Sequence, residues 1–155
     1  MRALGGSTRS GVTRHPLLSK WKAAETFVCE LIVKLILVED DPIVLMCTSD
    51  ALAEAGFDVL TATGGEEALS FLSDSPDCLL MMLDVRLNGR LDGWEVARRS
   101  REAQPNLAVV YTTTADGLAF ARECVDRSVL LQKPCTLDRV VSSAREACRM
   151  IEEGT

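Results

Sequence analysis

The chain has 155 residues, of which 47% are hydrophobic and 26% are charged, and this suits one globular domain with one core. Its formal net charge of −6 argues against direct binding of nucleic acid, which needs a basic surface. The six cysteines have no C-x-x-C spacing and His15 is the only histidine, so no zinc site is expected, and reduced thiols fit a cytoplasmic protein.

Residues 1–30 differ from the rest of the chain in charge and pattern. They carry five Lys/Arg and two Asp/Glu, whereas residues 31–155 carry twelve and twenty-one. Their Gly, Pro, Ser and Thr content predicts a flexible N-terminal tail, with a short helix near Leu18–Phe27 or a mis-assigned start as alternatives. The apolar run Phe27–Val38 is too short and too interrupted by charge for a membrane span. The folded domain is predicted over residues 31–153.

From residue 31 onward, apolar runs of strand length alternate with segments of helical period. Asp41 is the predicted cap of the first helix and Gly56 its end, and Thr63 with Glu66 has the spacing of a capping box for the second. The predicted strands are Leu31–Val38, Phe57–Ala62, Cys78–Leu83, Leu107–Thr112 and Ser128–Gln132. The predicted helices are 42–55, 63–72, Trp94–Ala103, Ala115–Val125 and a last helix, capped by Thr136, to Ile151. Five strand–helix units in succession predict an α/β domain with a parallel sheet and helices on both faces.

Polar residues follow four of the predicted strands. They are Glu39, Asp40 and Asp41 after the first, Asp84 after the third, Thr112–Thr114 after the fourth and Lys133 after the fifth. Because ligands bind at the carboxyl edge of such a sheet, these side chains are expected to share one cleft. Crowded carboxylates repel, and Mg²⁺ would relieve the repulsion among Glu39, Asp40 and Asp84. A carboxylate held in this way can act as a nucleophile and form an aspartyl phosphate.

Each of these residues also has a structural interpretation. Asp41 and Asp92 are predicted helix caps, and Asp84 alone would be compatible with a turn. Glu39 and Asp40 alone could be solvated loop acids, and Lys133 a surface lysine. Trp94 and the cysteines are predicted to pack in the core. The joint placement at four strand ends favours a functional site over these separate interpretations.

Four segments in register resemble the receiver domains of two-component response regulators. They are LILVEDDP (35–42), LLMMLDVRL (79–87) followed by LDGWE (91–95), VVYTTT (109–114) and LLQKP (130–134). The resemblance covers residues 33–152. It implies a flavodoxin-like (βα)₅ three-layer sandwich with the strand order 2-1-3-4-5.

The resemblance also implies roles for individual residues. Asp84 matches the phosphoacceptor, which takes a phosphoryl group from a histidine kinase or a histidine phosphotransfer protein. Mg²⁺ would be held by Glu39, Asp40, Asp84 and the backbone carbonyl of Arg86. Thr113 matches the switch residue, Lys133 matches the lysine of the site, and the bond between Lys133 and Pro134 is cis in the family.

Some positions depart from the pattern of the family. The loop from Asp84 to Asp92 is one residue longer than in the commonest members. Thr114 stands where Ala or Gly is usual, and its bulk is expected to slow phosphoryl transfer. Leu130 stands where many members have Tyr or Phe, and Cys135 replaces a common Phe. These departures predict that Asp84 accepts phosphate while the 115–135 region responds in a different way.

The predicted function is therefore signalling, in which the protein catalyses only its own aspartyl phosphorylation and dephosphorylation. No DNA-binding output domain is expected, so the output would run through protein contacts, from a monomer or from a dimer formed through the face of helix 4, strand 5 and helix 5. A receiver-like binding module that works without phosphorylation is the alternative. A hydrolase of the haloacid dehalogenase type is rejected, because it needs a second Asp at the position of Arg86.

Overall fold

The computed structural model describes residues 32–114 and 117–154, over which strands and helices alternate. The strands are β1 (Val33–Val38), β2 (Phe57–Ala62), β3 (Leu80–Asp84), β4 (Ala108–Thr113) and β5 (Ser128–Gln132). The helices are α1 (Pro42–Glu54), α2 (Gly65–Asp74), α3 (Gly93–Ala103), α4 (Gly117–Glu123) and α5 (Leu137–Glu153). The predicted N-terminal tail, including its suggested helix, His15 and Cys29, lies outside the described residues.

The five strands form one parallel sheet in the order β2-β1-β3-β4-β5, which confirms the predicted fold class. Val38 of β1 lies opposite Leu83 of β3, and Asp84 lies opposite Thr112 of β4. The carboxyl ends of the central strands are therefore level with one another. The residues that follow β1, β3, β4 and β5 meet at this edge of the sheet, as the alternation of elements predicts.

Two hydrophobic cores cover the two faces of the sheet. Leu35 and Leu37 of β1 point to the face that α1 and α5 cover, where Leu52 and Ile151 pack. The neighbouring β1 residues Ile36 and Val38 point to the other face, where α2 and α3 contribute a second set of buried side chains, namely Ala68, Leu72, Trp94, Val96 and Ala97. Burial on both faces explains why the central strands are continuous apolar runs in the sequence.

Most predicted helix ends are confirmed. The Asp41 carboxylate caps α1 by accepting the backbone N–H of Ile43 at 2.9 Å and of Val44 at 3.1 Å. Gly56, which follows α1, has a φ of +100°, a conformation that glycine adopts without strain. The Asp92 side chain caps α3 and the Thr136 side chain caps α5.

The capping box predicted for the second helix is wrong. Helix α2 begins at Gly65, and its cap residue Gly64 has no side chain to accept a hydrogen bond. Glu67, one turn into the helix, reaches back instead and accepts hydrogen bonds from the hydroxyl of Thr63 at 3.2 Å and from its N–H at 3.4 Å. Thr63 therefore contacts the first turn of α2 through Glu67 and not through the predicted Glu66.

Several strand and helix boundaries shift by one to three residues. The prediction starts β3 at Cys78, whereas β3 runs from Leu80 to Asp84, so Asp84 is the last strand residue rather than the first loop residue. Strand β4 likewise begins and ends one residue later than predicted and includes Thr113. Burial of Cys78 and Leu79 outside the strand makes the apolar run longer than the strand itself. Helix α4 is shorter than the predicted helix, although residues 115 and 116 lie outside the described residues.

The cysteines are free thiols in the described part of the chain, and their placement corrects one prediction. Cys78 and Cys148 are buried in the core as expected, and Cys124 and Cys135 are half-buried. Cys47 is exposed, and it lines a surface groove beside α1. In the described residues, no helix has the length and hydropathy that a membrane crossing requires.

Candidate functional site

A lysine bridges two carboxylates at the carboxyl edge of the sheet. Lys133, directly after β5, donates from Nζ to Oε2 of Glu39 at 2.8 Å and to Oδ2 of Asp84 at 2.9 Å. Lys133 is 94 residues from Glu39 and 49 from Asp84, so the parallel register brings the three groups together. The Glu39 side chain is only 5% exposed and that of Asp84 13%. The cluster is therefore largely shielded from water.

Backbone amides fix the carboxylates of the site. The N–H of Asp41 donates to Oε1 of Glu39 at 3.1 Å, so the start of α1 holds the buried glutamate. The N–H of Arg86 donates to Oδ1 of Asp84 at 2.9 Å, and the N–H of Asn88 donates to Oδ2 of Asp40 at 3.1 Å. The loop after β3 therefore orients two acids from different strands. Sequence reasoning missed this role of Asn88, because a backbone donor leaves no mark in residue type.

The electrostatics of the site reflect three acids around one base. Burial raises the pKa of Glu39, and the nearby Asp84 carboxylate adds to the rise, whereas the hydrogen bonds from Lys133 and from the Asp41 N–H oppose it. Burial lowers the pKa of Lys133, but its hydrogen bonds to Glu39 and Asp84 outweigh this effect, and the net shift is upward. Lys133 is therefore charged at neutral pH, and the site carries more negative than positive charge.

The arrangement of acids fits a divalent metal ion. Glu39, Asp40 and Asp84 each offer a carboxylate oxygen, and the three oxygens lie within 4.8 Å of one another. Such an oxygen-only donor set with net negative charge is what Mg²⁺ prefers. The predicted fourth ligand, the carbonyl of Arg86, belongs to the loop whose N–H already orients Asp84. Its use as a ligand stays a prediction.

The threonines after β4 and the Lys-Pro pair complete the edge. Thr113 is buried, at 1% exposed, and its carbonyl accepts the N–H of Lys133 at 2.8 Å. Thr112 is opposite Asp84, and its carbonyl accepts the N–H of Val85 at 3.0 Å. Thr114 is exposed beside the site. The bond between Lys133 and Pro134 is cis, as the resemblance implies.

One glycine positions the site in a way that the sequence analysis missed. Gly93, the first residue of α3, packs so tightly that a Cβ atom there would lie 2.3 Å from the carbonyl oxygen of Asp84. Its N–H donates to the carbonyl of Val85 at 2.9 Å. From the sequence, Asp92 is predicted as a helix cap, and no role in the site is predicted for Gly93. The glycine in fact lets the start of α3 approach the strand end that carries Asp84.

An apolar groove of about 500 Å³ opens beside the site, between α1 and α5. Lys133, Cys47 and Cys135 line it, and Leu37 and Met82 of the sheet form its floor. On its rim, Ile43 of α1 and Leu137 of α5 are large apolar side chains that are exposed to solvent. A protein that reaches Asp84 from this side would meet an apolar surface.

Comparisons with known proteins agree with this geometry. A model of the response regulator receiver domain family matches residues 35–145. Response regulator MprA of Mycobacterium bovis is 32% identical over 120 residues, which are 76% of this chain and 51% of that protein. A cyclic di-GMP phosphodiesterase of Thermotoga maritima is 31% identical over 105 residues, 66% of this chain and 27% of that protein. The chain therefore spans about half of the length, or less, of these curated relatives.

Solved structures show the same fold. A response regulator receiver protein from Sinorhizobium medicae superposes with a TM-score of 0.73 at 29% identity, over 77% of this chain and 97% of that one. A CheY-like receiver domain protein from Methanospirillum hungatei superposes with a TM-score of 0.69 over 80% of this chain and 99% of that one, and at 19% identity it supports the fold alone. The fold class is thus that of CheY-like receivers. The chain belongs to the response regulator receiver domain family of two-component systems.

Proposed function

We propose that this protein is a phosphorylation-dependent switch in which Asp84 accepts a phosphoryl group. The observation that carries the proposal is the Lys133 ammonium group, which hydrogen-bonds both Asp84 and the buried Glu39. A lysine in this position neutralises part of the negative charge that a phosphoryl group brings. These hydrogen bonds of Lys133 already exist before phosphorylation, so the ammonium group is preorganised for phosphoryl transfer.

The proposed reaction moves a phosphoryl group from a histidine of a donor protein to Asp84. An Asp84 carboxylate oxygen attacks the phosphorus atom, a new O–P bond forms, and the P–N bond to the imidazole breaks. The electron pair of the broken bond stays on the imidazole nitrogen. The N–H of Arg86 holds the carboxylate during the attack, and Lys133 stabilises the oxygens of the transferred group.

We propose that Glu39, Asp40 and Asp84 hold Mg²⁺ together with the Arg86 carbonyl. The proximity of the three carboxylate oxygens supports this assignment. When bound, the ion supplies positive charge to the phosphoryl oxygens. Glu39 also keeps Lys133 in place, because its carboxylate accepts a hydrogen bond from the Lys133 ammonium group.

Thr113 is the proposed sensor of the new phosphoryl group. It ends β4, next to the strand residue that pairs with Asp84, so its hydroxyl lies near the reacting edge. A phosphoryl group adds three strong hydrogen-bond acceptors, and a contact from Thr113 would exist only in the phosphorylated state. The output is then a change in protein contacts. The protein is a signalling component whose only chemistry is gain and loss of its own phosphate.

The donor is proposed to be a histidine kinase or a histidine phosphotransfer protein. The exposed apolar side chains around the groove, Ile43 among them, give such a donor a surface to contact beside Asp84. The output partner, and dimer formation through the face of α4, β5 and α5, remain proposals that the family suggests. A cytoplasmic location is proposed because the described cysteines are free thiols.

An intact-mass measurement tests the proposal. The protein is incubated with Mg²⁺ and acetyl phosphate, and separately with a phosphorylated histidine kinase. The expected result is one added phosphoryl group in the wild type and none in Asp84→Asn. Asp92→Asn is a matched control, because it removes a nearby acid whose role is to cap α3. The absence of an adduct from either donor would favour a receiver-like binding module that works without phosphate.

A further inference from the structure

Tyr111 of β4 lies two residues before Thr113, so the two side chains point to the same face of the sheet. This is the face that α2 and α3 cover, and the Tyr111 side chain is fully buried there. Directly opposite Tyr111 on β5 is Leu130, the position where many similar receivers carry an aromatic residue. In this chain the aromatic ring is therefore one strand away from that position, on the strand that also carries Thr113.

The Tyr111 side chain contacts three separate elements. Its ring lies 4.7 Å, between centroids, from the ring of Trp94 on α3, and 5.9 Å from the ring of Phe120 on α4 in an edge-to-face arrangement. Its hydroxyl oxygen accepts the backbone N–H of Val125 at 3.1 Å, just after α4. Burial raises the pKa of Tyr111 to about 12, so the hydroxyl stays neutral. One residue thus joins the strand of the candidate site to the middle of α4 and to the segment just after it.

Helix α4 depends strongly on these contacts. None of its described residues is buried, and Leu118 is 71% exposed. Phe120 and Ala119 are the α4 residues that pack, partly buried, against the core that contains Tyr111. An ion pair of 3.2 Å between Glu123 and Arg98 joins the end of α4 to α3. An element with so little buried surface belongs to the least stable part of a fold and can shift at small cost.

We propose that Tyr111 is the positioning residue through which phosphorylation at Asp84 sets the position of α4 and of residues 124–127. The proposal rests on the proposed function, because it needs a phosphoryl group near Thr113. A shift of Thr113 toward that group moves the end of β4, and the packed ring of Tyr111 moves with it, since close-packed side chains do not move independently. Phe120 and the Val125 amide then follow. This path runs through β4 and α4 and does not require an aromatic residue at position 130.

Amide hydrogen exchange measured by NMR tests the path. Exchange is compared with and without Mg²⁺ and beryllofluoride, a phosphoryl mimic, in the wild type, in Tyr111→Phe and in Phe120→Leu. Tyr111→Phe keeps the ring contacts and removes the hydrogen bond, so the Val125 amide is expected to exchange roughly five-fold faster without the mimic, the effect of one ordinary hydrogen bond. In both variants the change that the mimic causes over residues 117–127 is expected to fall to less than half of that in the wild type.

Phe71→Leu is the matched control. Phe71 packs against the same core from α2, which lies against β1 and β2 rather than β4. This variant loses an aromatic ring without touching the proposed path, and it is expected to keep the full response over residues 117–127. A response in Tyr111→Phe and Phe120→Leu equal to that of Phe71→Leu would overturn the proposal.

Two further readouts separate the possible failures. Bound beryllofluoride is detected by fluorine NMR in every variant, and all of them are expected to bind it, because none changes a residue of the site. If the wild type binds the mimic but its Val125 amide exchanges at the same rate with and without the mimic, the role of Tyr111 is overturned and the proposed function stays intact. No bound mimic in the wild type would overturn the proposed function, and this proposal with it.

Discussion

Asp40 allows a test of how much the repulsion among the carboxylates of Glu39, Asp40 and Asp84 lowers the free energy of unfolding. Its carboxylate has oxygen neighbours from Glu39 and Asp84 within 4.8 Å, and it accepts a hydrogen bond from Asn88 that an amide oxygen could also accept. Asp40→Asn therefore removes one charge and keeps the shape and the hydrogen bond. In the absence of divalent cations, we expect this variant to be more stable than the wild type.

The magnitude follows from Coulomb's law. At 4.8 Å, two like charges repel by about 0.9 kcal/mol in bulk water and by about 3.5 kcal/mol at an effective dielectric constant of 20. Asp40 is partly exposed, so the lower figure applies better to its two repulsive pairs, and the nearby Lys133 offsets part of their sum. The expected gain in the free energy of unfolding is about 1 kcal/mol. This corresponds to a rise in the urea midpoint of roughly 0.3–1 M.

Added Mg²⁺ is expected to remove the advantage of the variant. A ligand at ten times its dissociation constant stabilises the folded state by about 1.4 kcal/mol, so the wild type should gain at least this much at saturating Mg²⁺. Asp40→Asn, which lacks one proposed ligand, should gain less. Urea unfolding with EDTA and with Mg²⁺ measures both effects for each protein.

Asp41→Asn is the control for a loss of charge next to the site. Asp41 caps α1, and Asn serves as well in that role, so its response to Mg²⁺ should match that of the wild type. Repulsion among the three carboxylates would be excluded as a cost to folding if Asp40→Asn were less stable than the wild type in EDTA. A role of Asp40 as a metal ligand would be excluded if the variant gained as much stability from Mg²⁺ as the wild type.

Three other predictions follow from neighbouring features. Burial raises the pKa of Glu39 in the folded state, so the stability that protonated Glu39 contributes is fully present below its ordinary pKa of 4.5 and is lost as the pH rises through the raised pKa. Urea midpoints measured in EDTA should therefore fall over this pH range, and the fall should be smaller in Glu39→Gln. Ile43→Gln should slow phosphorylation by a donor protein but not by acetyl phosphate, whereas Leu118→Gln, on α4, should leave both rates unchanged. Equal slowing with both donors in Ile43→Gln would contradict a role of Ile43 in docking the donor protein. Gly93→Ala should lower the free energy of unfolding by about 1–3 kcal/mol and slow acetyl-phosphate labelling, because its Cβ would overlap the β3 backbone. Gly64→Ala, where a Cβ meets open space, should leave the labelling rate unchanged.

The parts of the fold that depend on side-chain pattern could be predicted from the sequence. Strand β5 has the predicted bounds, and the caps Asp41, Asp92 and Thr136 act as their residue types suggest. Boundaries were less accurate where burial continues past the hydrogen-bonded strand, as at Cys78. Hydrophobicity reports burial, whereas strand ends are set by backbone pairing, and the two coincide only in part.

The candidate site could be predicted only as a set of residues. Glu39 and Lys133 directly follow strands and Asp84 ends one, and the parallel order of these strands brings the three residues together, as the sequence predicts. The details that fix them come from the backbone and from packing. The backbone amide of Asn88 holds Asp40, and the absence of a side chain at Gly93 lets α3 approach β3. Both effects depend on the three-dimensional position of the backbone, which residue type does not reveal.

Phosphoryl transfer to Asp84 is tested by trapping the acyl phosphate that it would form. The protein is labelled with acetyl phosphate and Mg²⁺, reduced with borohydride, digested and analysed by mass spectrometry. An aspartyl phosphate is a mixed anhydride, which borohydride converts to homoserine, so homoserine is expected at position 84 only in the phosphorylated sample. Homoserine at another acid, or an unmodified position 84 in a sample whose intact mass shows a phosphoryl group, would exclude Asp84 as the phosphoacceptor.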